Sequence, residues 1–408
     1  MLTQGGVTWS GGDISGVAGT WQHSGAVQFG VTAANTLSGT GTLSVSGSGG
    51  VAKTGSSTTT INVLVNVNSG SGVSVGGGPL VLGGGSGATS AWAGAVQLST
   101  GGTLDFRANA FALNTGATLT GTTGTLSVSG ASVTVNVAVG FSGSTSVTAG
   151  VLTLALAQSV YASAVTVGSG GTLTAASAVT WTAGLSLSGA GSVANVNAGP
   201  SAVTGGSCSL SGGALNVASG VTFSVGVSCS TSGTAVVAGA GALVVTGGTF
   251  ALGTSGAATV GPAVTVSNGA SVSVGAGGLT SFAQLVTVNA GGTMTTASSV
   301  TLGGGLSQSG TLNVNAGSGT VSVSGGATCL VAGAVNVAGG QALSVGVACS
   351  QTAGAVTVAS SGSLSVSGGQ YSMSGGSLAG AGAASFSSSL AVAGTVTLSI
   401  TTVGVWMS

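Results

Sequence analysis

A spacing of 20 to 21 residues recurs along this chain, and two residue types carry it independently. The pairs with this spacing are Cys208/Cys229, Cys329/Cys349, Asn195/Asn216 and Asn315/Asn336. A short fixed period in a chain of 408 residues is typical of proteins built from stacked repeats. The spacing therefore predicts a repeat architecture in which each unit covers the apolar face of its neighbour.

Short segments with alternating side chains make up each period, as in Leu43-Ser44-Val45 and Val165-Thr166-Val167. Alternation with period 2 places Val and Leu on one face of a strand and Ser and Thr on the other. Glycine, with 82 residues, separates these segments and permits tight corners. No stretch has the 3.6-residue apolar spacing of a helix. The sequence predicts an all-β fold, a parallel β-helix (β-solenoid) with coils of roughly 20 residues.

A longer repeat lies over the short one. Residues 159–250 recur as 281–371 with an offset of about 121, and 164–181 match 285–302 at 11 of 18 positions. We interpret this as an internal duplication within one continuous solenoid over residues 1–408, with about six coils in each offset. A row of β-sandwiches of about 120 residues each is the competing architecture, because it would have the same long period.

The four cysteines are expected to form two disulfides, Cys208 with Cys229 and Cys329 with Cys349. Stacked coils place equivalent Cα atoms about 4.8 Å apart, within the range of about 4.4–6.8 Å that a disulfide requires. Two such bonds favour an oxidising compartment.

Formal charge is almost absent, since only Asp13, Lys53, Asp105 and Arg107 carry it and no glutamate is present. Without a basic run the chain has no surface for nucleic acid, and its apolar runs are too short for a membrane span. Paired carboxylates for acid–base catalysis are lacking, so we do not expect an enzyme. Net charge near zero favours self-association.

Three local patterns are similar to known functional motifs, but none of them is sufficient to predict a functional site. Residues 47–54, GSGGVAKT, resemble a phosphate-binding loop, but no helix signal follows Lys53. Asp105 and Arg107 are two residues apart and predict a local ion pair. His23 is the only histidine, and the cysteines lack zinc-site spacing. No catalytic, cofactor or metal site is predicted.

The outward Ser and Thr residues leave two alternatives open. A Thr-x-Thr array can order water on a flat face, which raises the hypothesis of ice binding. Such segments occur at 172–174, 180–182, 293–295 and 395–397, but no uninterrupted ladder with a single-coil period is visible. Asn-linked sequons are absent, whereas O-linked sugars on the outward hydroxyls are an expected partner chemistry.

The last stretch of the chain reads as one more strand without charge or proline. Natural sheets protect open edges with such residues, so an unprotected edge predicts pairing with another chain. The predicted subunit contact comprises Val396, Leu398, Val403, Val405 and Trp406. We expect the chain to assemble end to end with copies of itself.

The Gly-x-Leu-x-Val-x-Gly units with outward Ser and Thr, such as 41–47 and 124–130, resemble the passenger domains of autotransporters and filamentous-haemagglutinin-type adhesins. That resemblance covers most of the chain and implies a right-handed parallel β-helix at the cell surface. The expected function is a structural subunit of an extracellular or cell-surface filament. The alternative is an adhesin-type β-helix module, or one that binds ice or glycan.

Overall fold

The computed structural model describes residues 2–3, 7–10, 12–29, 34–84, 87–156, 159–253, 258–277, 280–315, 317, 319–326 and 328–405. Among these residues every regular element is a β-strand, and none is helical. The chain divides into two units, Met1–Gly206 and Ser207–Ser408. Each is a parallel β-solenoid, which confirms the predicted fold class. A row of β-sandwiches is wrong, because strands pair in parallel with strands one coil away rather than with their neighbours in sequence.

The strands of the first unit are short, and most end at a glycine-rich corner. They are β1 Leu2–Thr3, β2 Val7–Trp9, β3 Gly12–Val17, β4 Thr20–His23, β5 Val27–Phe29, β6 Asn35–Val45, β7 Gly50–Lys53, β8 Thr59–Val67, β9 Gly72–Val75, β10 Gly78–Leu82, β11 Thr89–Trp92, β12 Ala95–Leu98, β13 Gly102–Phe106, β14 Ala110–Leu113, β15 Thr118–Gly121, β16 Thr125–Val135, β17 Val139–Phe141, β18 Ser144–Leu154, β19 Ser159–Tyr161, β20 Ala164–Val167, β21 Gly171–Ala175, β22 Val179–Trp181, β23 Gly184–Ser188, β24 Val193–Val196 and β25 Ser201–Val203.

The second unit continues the same pattern of strands and corners. Its strands are β26 Ser207–Ser211, β27 Ala214–Val217, β28 Thr222–Val225, β29 Cys229–Thr231, β30 Val236–Ala238, β31 Ala242–Val245, β32 Thr249–Leu252, β33 Thr259–Val260, β34 Ala263–Val266, β35 Ser271–Val274, β36 Thr280–Phe282, β37 Val286–Val288, β38 Thr293–Thr296, β39 Val300–Leu302, β40 Leu306–Gln308, β41 Thr311–Val314, β42 Thr320–Val323, β43 Cys329–Val331, β44 Ala334–Val337, β45 Ala342–Val345, β46 Cys349–Gln351, β47 Ala355–Val358, β48 Ser363–Val366, β49 Gln370–Met373, β50 Gly376–Phe386, β51 Ser389–Val392 and β52 Val396–Val405.

Each coil contributes one strand to each of three parallel sheets. In the first unit, sheet A1 contains β1, β4, β11, β14, β21 and β24 with the second halves of β6, β8, β16 and β18. Sheet B1 has two sections, one of β2, β5, β7, β9, β12, β15 and β17 and the other of β19, β22 and β25. Sheet C1 contains β3, β10, β13, β20 and β23 with the first halves of the long strands.

The sheets of the second unit follow the same cycle of three strands. Sheet A2 contains β27, β30, β33, β36, β39, β42, β45 and β48 with the second halves of β50 and β52. Sheet B2 contains β28, β31, β34, β37, β40, β43, β46, β49 and β51. Sheet C2 contains β26, β29, β32, β35, β38, β41, β44 and β47 with the first halves of β50 and β52.

The core consists of columns of inward side chains that stack from coil to coil. In sheet C2 the ladder registers place Phe250, Val272, Met294 and Leu312 in one such column, and all four are buried. Each burial of a side chain of this size contributes roughly 1.5–3 kcal/mol. In each unit the alternating sequence thus forms an apolar interior and three outer faces rich in Ser and Thr.

Glycine is required where the chain bends between sheets against the preceding coil. At Gly380, where β50 passes from sheet C2 to sheet A2, φ is +124°. A Cβ atom there would lie 2.0 Å from the carbonyl oxygen of Val358. Residues with a side chain do not fit such a bend, which explains part of the glycine content.

The long repeat is close to the expected six coils but is not a whole number of them. Strand β43, with Cys329, follows β26, with Cys208, by 17 strands, which is not a multiple of three. Cys208 consequently lies in sheet C2 and Cys329 in sheet B2. The physical reason is that one strand with one corner, and not one coil, is the smallest unit whose repetition preserves the alternation and the stacking.

Candidate functional site

The last coil of the second unit leaves part of the apolar core uncovered. Its inward residues Val392, Leu398 and Val403 are 47–49% exposed. Their partners one coil earlier, Met373, Leu378 and Ala384, are 0–1% exposed. The three exposed residues lie one on each sheet, B2, C2 and A2. Among the described residues β51 and β52 pair on one side only, so each sheet also presents an open strand edge.

The predicted subunit contact overlaps this end face in part. Leu398 and Val403 are exposed in β52, and Val396 is half-buried. Val405 ends β52, but its side chain lies outside the described part of the chain, and so does Trp406. Val392 was missed, although the alternation in 389–392, SLAV, is the signal that could have identified it.

The first coil of the first unit is open in the same way. Ile14 of β3 is the first member of an inward column that continues with the buried residues Leu37 and Ile61. Trp21 of β4 begins a second column, followed by Leu43 and Val65, and is half-buried. Together with Val17, Ala18 and Thr20 they line an open depression of about 330 Å³, which we call the N-terminal groove.

Both disulfides are present with the pairing that the spacing predicts. Cys208 is bonded to Cys229 and Cys329 to Cys349, with Cα–Cα distances of 4.4 and 4.5 Å. All four cysteines are buried and point into the core. Disulfides persist in oxidising environments, so these bonds indicate a compartment other than the reducing cytosol.

Sheet C2 carries two outward columns of hydroxyl and amide side chains, which we call the C2 ladder. Its members are Thr249, Ser271, Thr293 and Thr311 in one column and Ser273, Thr295, Asn313 and Asn336 in the other. Hydrogen bonds run along the columns, including Thr249 Oγ1 to Ser271 Oγ at 2.7 Å and Asn336 Nδ2 to Asn313 Oδ1 at 2.9 Å.

The C2 ladder is a series of stacked hydroxyl and amide side chains in which only residues 293–295 form a Thr-x-Thr segment, so it does not contradict the expectation of no uninterrupted Thr-x-Thr ladder. Successive members of the column that begins at Thr249 are 22, 22 and 18 residues apart, and Asn313 and Asn336 in the other column are 23 apart, so a search with one fixed period does not detect them. For the same reason Asn336 pairs with Asn313 rather than with Asn315, which has the 21-residue spacing. Corners of different length change the spacing and preserve the register.

The side chain of Lys53 makes hydrogen bonds inside the solenoid and is not exposed to a ligand in solution. Its side chain is buried, and Nζ donates hydrogen bonds to the carbonyl oxygens of Gly55 and, at 3.1 Å, of Gly77 on the next coil. Burial lowers the pKa of Lys53. Gln308 and Gln351 bridge coils in the same way, through Nε2 to Ala334 and Ser377. Because β7 is a strand and Lys53 points inward, residues 47–54 do not form a phosphate-binding loop.

Asp105, Arg107 and His23 also make local contacts. Arg107 donates to Oδ2 of Asp105 at 3.2 Å, as predicted, and two serines, Ser127 and Ser129, donate to Oδ1 at 2.8 and 2.7 Å. His23 is buried with its Nδ1 3.2 Å from the Gly25 carbonyl oxygen. No group of three or more His, Cys, Asp or Glu that could hold a metal occurs among the described residues.

The geometry defines the class of protein as a parallel β-solenoid with three sheets in each unit. No protein-family profile matches the sequence, and no curated protein matches it. None of the residues that the structure describes forms a helix long and apolar enough to cross a membrane.

Proposed function

We propose that the chain is a structural subunit of an extracellular or cell-surface filament in which copies stack end to end. The observation that carries this proposal is the open end face formed by Val392, Leu398 and Val403. Exposed apolar residues beside unpaired strand edges favour association with another strand-bearing surface. A second copy of the chain provides such a surface, and the proposal assigns no catalytic step to the protein.

Charge and strand polarity both support this assembly. Strand β52 contains neither a charged residue nor a proline, the residues with which natural proteins protect an edge. The strand pairs of the described residues are parallel, so a copy added at the open edge with the same polarity extends each sheet without a change of hydrogen-bond pattern. Such a head-to-tail contact is heterologous, and it propagates as an open filament.

The disulfides and the resemblance to surface-exposed passenger domains support the proposed location. Outward Ser and Thr hydroxyls are the acceptors that O-linked sugars require, and we include such sugars in the proposal. Intact-mass spectrometry of native material tests this part. A mass equal to that of the unmodified 36.9 kDa chain would contradict it.

Assembly is tested by light scattering over a concentration series, with electron microscopy of the same samples. The expected result is growth of filaments by the wild type and loss of growth in Leu398→Lys and Val403→Lys, whose side chains are exposed before assembly. Val160→Lys is the matched control, because Val160 is 54% exposed but lies on β19 of the first unit and is not part of the end face. A wild type that stays monomeric at high concentration would exclude the proposal.

The C2 ladder favours a second candidate, a module that binds a flat periodic surface such as ice or a crystalline glycan. Its hydroxyls repeat along the stack about every 4.8 Å and form a neutral face. The test compares ice growth and glycan pull-down for wild type and for Thr293→Lys/Thr295→Lys. Equal behaviour of the two proteins in both measurements would exclude this candidate.

A further inference from the structure

We infer that the first unit has a hinge at the place where sheet B1 is divided into two sections. The section that ends with β17 and the section that begins with β19 belong to successive coils. We call the facing edges of these two strands, Val139–Phe141 and Ser159–Tyr161, the B1 seam. The inference concerns a single chain, so its test does not depend on the proposed end-to-end assembly.

Hydrogen bonds between the two edges of the B1 seam are missing among the described residues, although the strands remain in contact. In the following coil, the residue after the B1 strand donates to the strand one coil earlier: Thr182 N–H donates to the Tyr161 carbonyl oxygen at 3.0 Å. Ala162 has the equivalent position after β19, but its N–H makes no bond with Phe141, and both residues belong to the described part of the chain. The seam therefore lacks backbone bonds that a continuous sheet provides.

The other two sheets of the first unit are continuous at this level. Strands β16 and β18 each pass through C1 and A1, and they pair with each other in both sheets. At the bend between these sheets, a Cβ atom on Gly150 would lie 2.2 Å from the Ala131 carbonyl oxygen, so the two coils are in close contact there. The side of B1 can therefore open while the edge between C1 and A1 acts as the axis of the hinge.

The strands at the seam are attached to different coils. Among the described residues, β17 pairs only with β15. The Tyr161 hydroxyl at the end of β19 lies 3.1 Å from Thr145 Oγ1 on β18, and Thr145 Oγ1 lies 3.1 Å from Ser163 Oγ. These buried contacts connect β19 and the corner after it to β18. The coil formed by β18 and β19 is thus braced from inside, and it can tilt as one body.

Inward side chains become more exposed towards the seam. Val96, Leu119 and Val139 form one inward column of B1, and their exposed fractions are 0%, 1% and 7%. Closure of the seam would cover Val139 and bring Ala162 N–H to the Phe141 carbonyl oxygen. The hinge consequently has a closed state that is defined by specific contacts.

Hydrogen exchange at single-residue resolution tests whether the seam is open. Ala162 N–H should exchange roughly tenfold faster than Thr182 N–H, which has the hydrogen bond that Ala162 lacks. Side-chain exposure alone would give the opposite order, because Thr182 is exposed and Ala162 is half-buried. Equal protection of the two amides would overturn the inference.

Distances between pairs of spin labels test the bending. Gln97 and Ala202 lie on the outer face of B1, five coil steps apart, with the seam between them. Thr89 and Val193 lie the same number of steps apart on the continuous sheet A1 and are the matched control. Five steps correspond to about 24 Å. Labels on Gln97→Cys/Ala202→Cys should give a broad distribution and labels on Thr89→Cys/Val193→Cys a narrow one, and equal widths would contradict the hinge.

A disulfide across the seam tests the closed state. In Gly140→Cys/Val160→Cys both new side chains have room, since a Cβ atom at Gly140 has no neighbour closer than 3.7 Å and Val160 is 54% exposed. Oxidation should form the bond and slow exchange at Ala162 by about the factor that separates it from its hydrogen-bonded counterpart. The matched control is Thr180→Cys/Ala202→Cys, whose positions are partners in an intact ladder, and its bond should leave exchange at Ala162 unchanged.

Two results of the disulfide experiment would overturn the inference. A bond that forms in the control but not across the seam would show that the seam does not close. A bond across the seam with unchanged exchange at Ala162 would show that closure does not restore the missing hydrogen bond.

Discussion

The Tyr371 hydroxyl donates a 3.0 Å hydrogen bond to Oε1 of Gln351 on the preceding coil, inside the apolar core of the second unit. Gln351 in turn donates from Nε2 to the Ser377 carbonyl oxygen at 2.9 Å. Gln351 is therefore linked to the next coil at two points, by one hydrogen bond with Tyr371 and one with Ser377.

Loss of the Tyr371 hydroxyl should destabilise the protein because the buried Gln351 Oε1 would then lack this hydrogen-bond donor. Tyr371→Phe removes the donor and leaves Gln351 Oε1 buried without it, at a cost of about 1–3 kcal/mol in the free energy of unfolding. Chemical denaturation measures the change. The control is Tyr371→Phe/Gln351→Leu, which should be less destabilising than the sum of the two single variants. A strictly additive double variant would show that the two side chains do not interact.

Alkaline pH should destabilise the fold through the buried tyrosines. Burial raises the pKa of Tyr161 to about 12, although its hydrogen bond with Thr145 acts in the opposite direction. The folded state keeps the phenol proton that the unfolded state loses near pH 10, so stability is complete below pH 10 and falls as the pH rises towards 12. A shift of this size corresponds to about 3 kcal/mol at pH 12.

Tyr161→Phe should show a weaker loss of stability over the same pH range. Tyrosinate absorbance recorded with circular dichroism checks this, because ionisation and unfolding should coincide. Ionisation of all tyrosines near pH 10 in a chain that remains folded would refute the prediction.

Lys53 should make the stability of the fold depend on pH in the opposite direction, and glutamine should be able to take its structural role. Burial lowers the pKa of Lys53, so between that value and 10.5 the unfolded state binds the extra proton and stability rises with pH. Lys53→Gln should retain the coil-bridging hydrogen bonds, as Gln308 and Gln351 do, without this pH dependence. Chemical denaturation should show that the variant is more stable than the wild type at pH 7. The difference in the free energy of unfolding should be smaller at pH 9.5. A difference that does not change with pH would contradict the assignment.

The two disulfides should stabilise the chain by similar amounts. Each closes a loop of about 20 residues, and removal of such a bond costs about 3 kcal/mol in the chain-entropy description. Cys208→Ala/Cys229→Ala and Cys329→Ala/Cys349→Ala should each show this loss in thermal unfolding. Non-reducing peptide mapping of the wild type should recover both predicted pairs. Detection of free thiols, or of a link between 208 and 349, would contradict the stacking register.

Alanine at Gly380 should be much more costly than alanine at a glycine that has room. The Cβ atom at Gly380 would meet the Val358 carbonyl oxygen at 2.0 Å, whereas nothing lies within 4 Å of one at Gly220. Both residues have positive φ, so both variants carry the backbone cost of about 1–2 kcal/mol. Gly380→Ala should lose at least about 2 kcal/mol more, as clashes with backbone require the coil to move. Equal melting temperatures would refute the argument.

Alternation and spacing were sufficient to predict the strands, the parallel stacking and the cysteine pairing. Val272 and Val274 face inward and Ser271 and Ser273 outward, as period 2 requires. The number of strands in each coil, three, could not be predicted. Glycine-rich corners have variable lengths in the sequence, and these lengths do not show by how much the chain changes direction at each corner. The C2 ladder was missed for a related reason, since Thr293 and its partner Thr311 are 18 residues apart while Ser271 and Thr293 are 22 apart.

The end faces were predicted only in part. Exposure of Leu398 follows from its place in an uncharged last strand, which the sequence displays. Partial exposure of Trp21 depends on how little of β4 the first strand covers, and exposure of Ile14 on the absence, among the described residues, of a second strand beside β3. Both are properties of the fold and not of the local pattern.

The 17-strand offset between the two cysteine pairs has an evolutionary consequence for the second unit. A gene for such a chain can gain or lose a single strand with its corner, and every residue beyond the change rotates by one third of the circumference while the interior remains intact. Duplicated segments are thereby distributed around the axis rather than aligned along it. A surface feature that must stay on one side would restrict these changes to multiples of three strands, so the spacing of insertions among relatives would reveal which side is under selection.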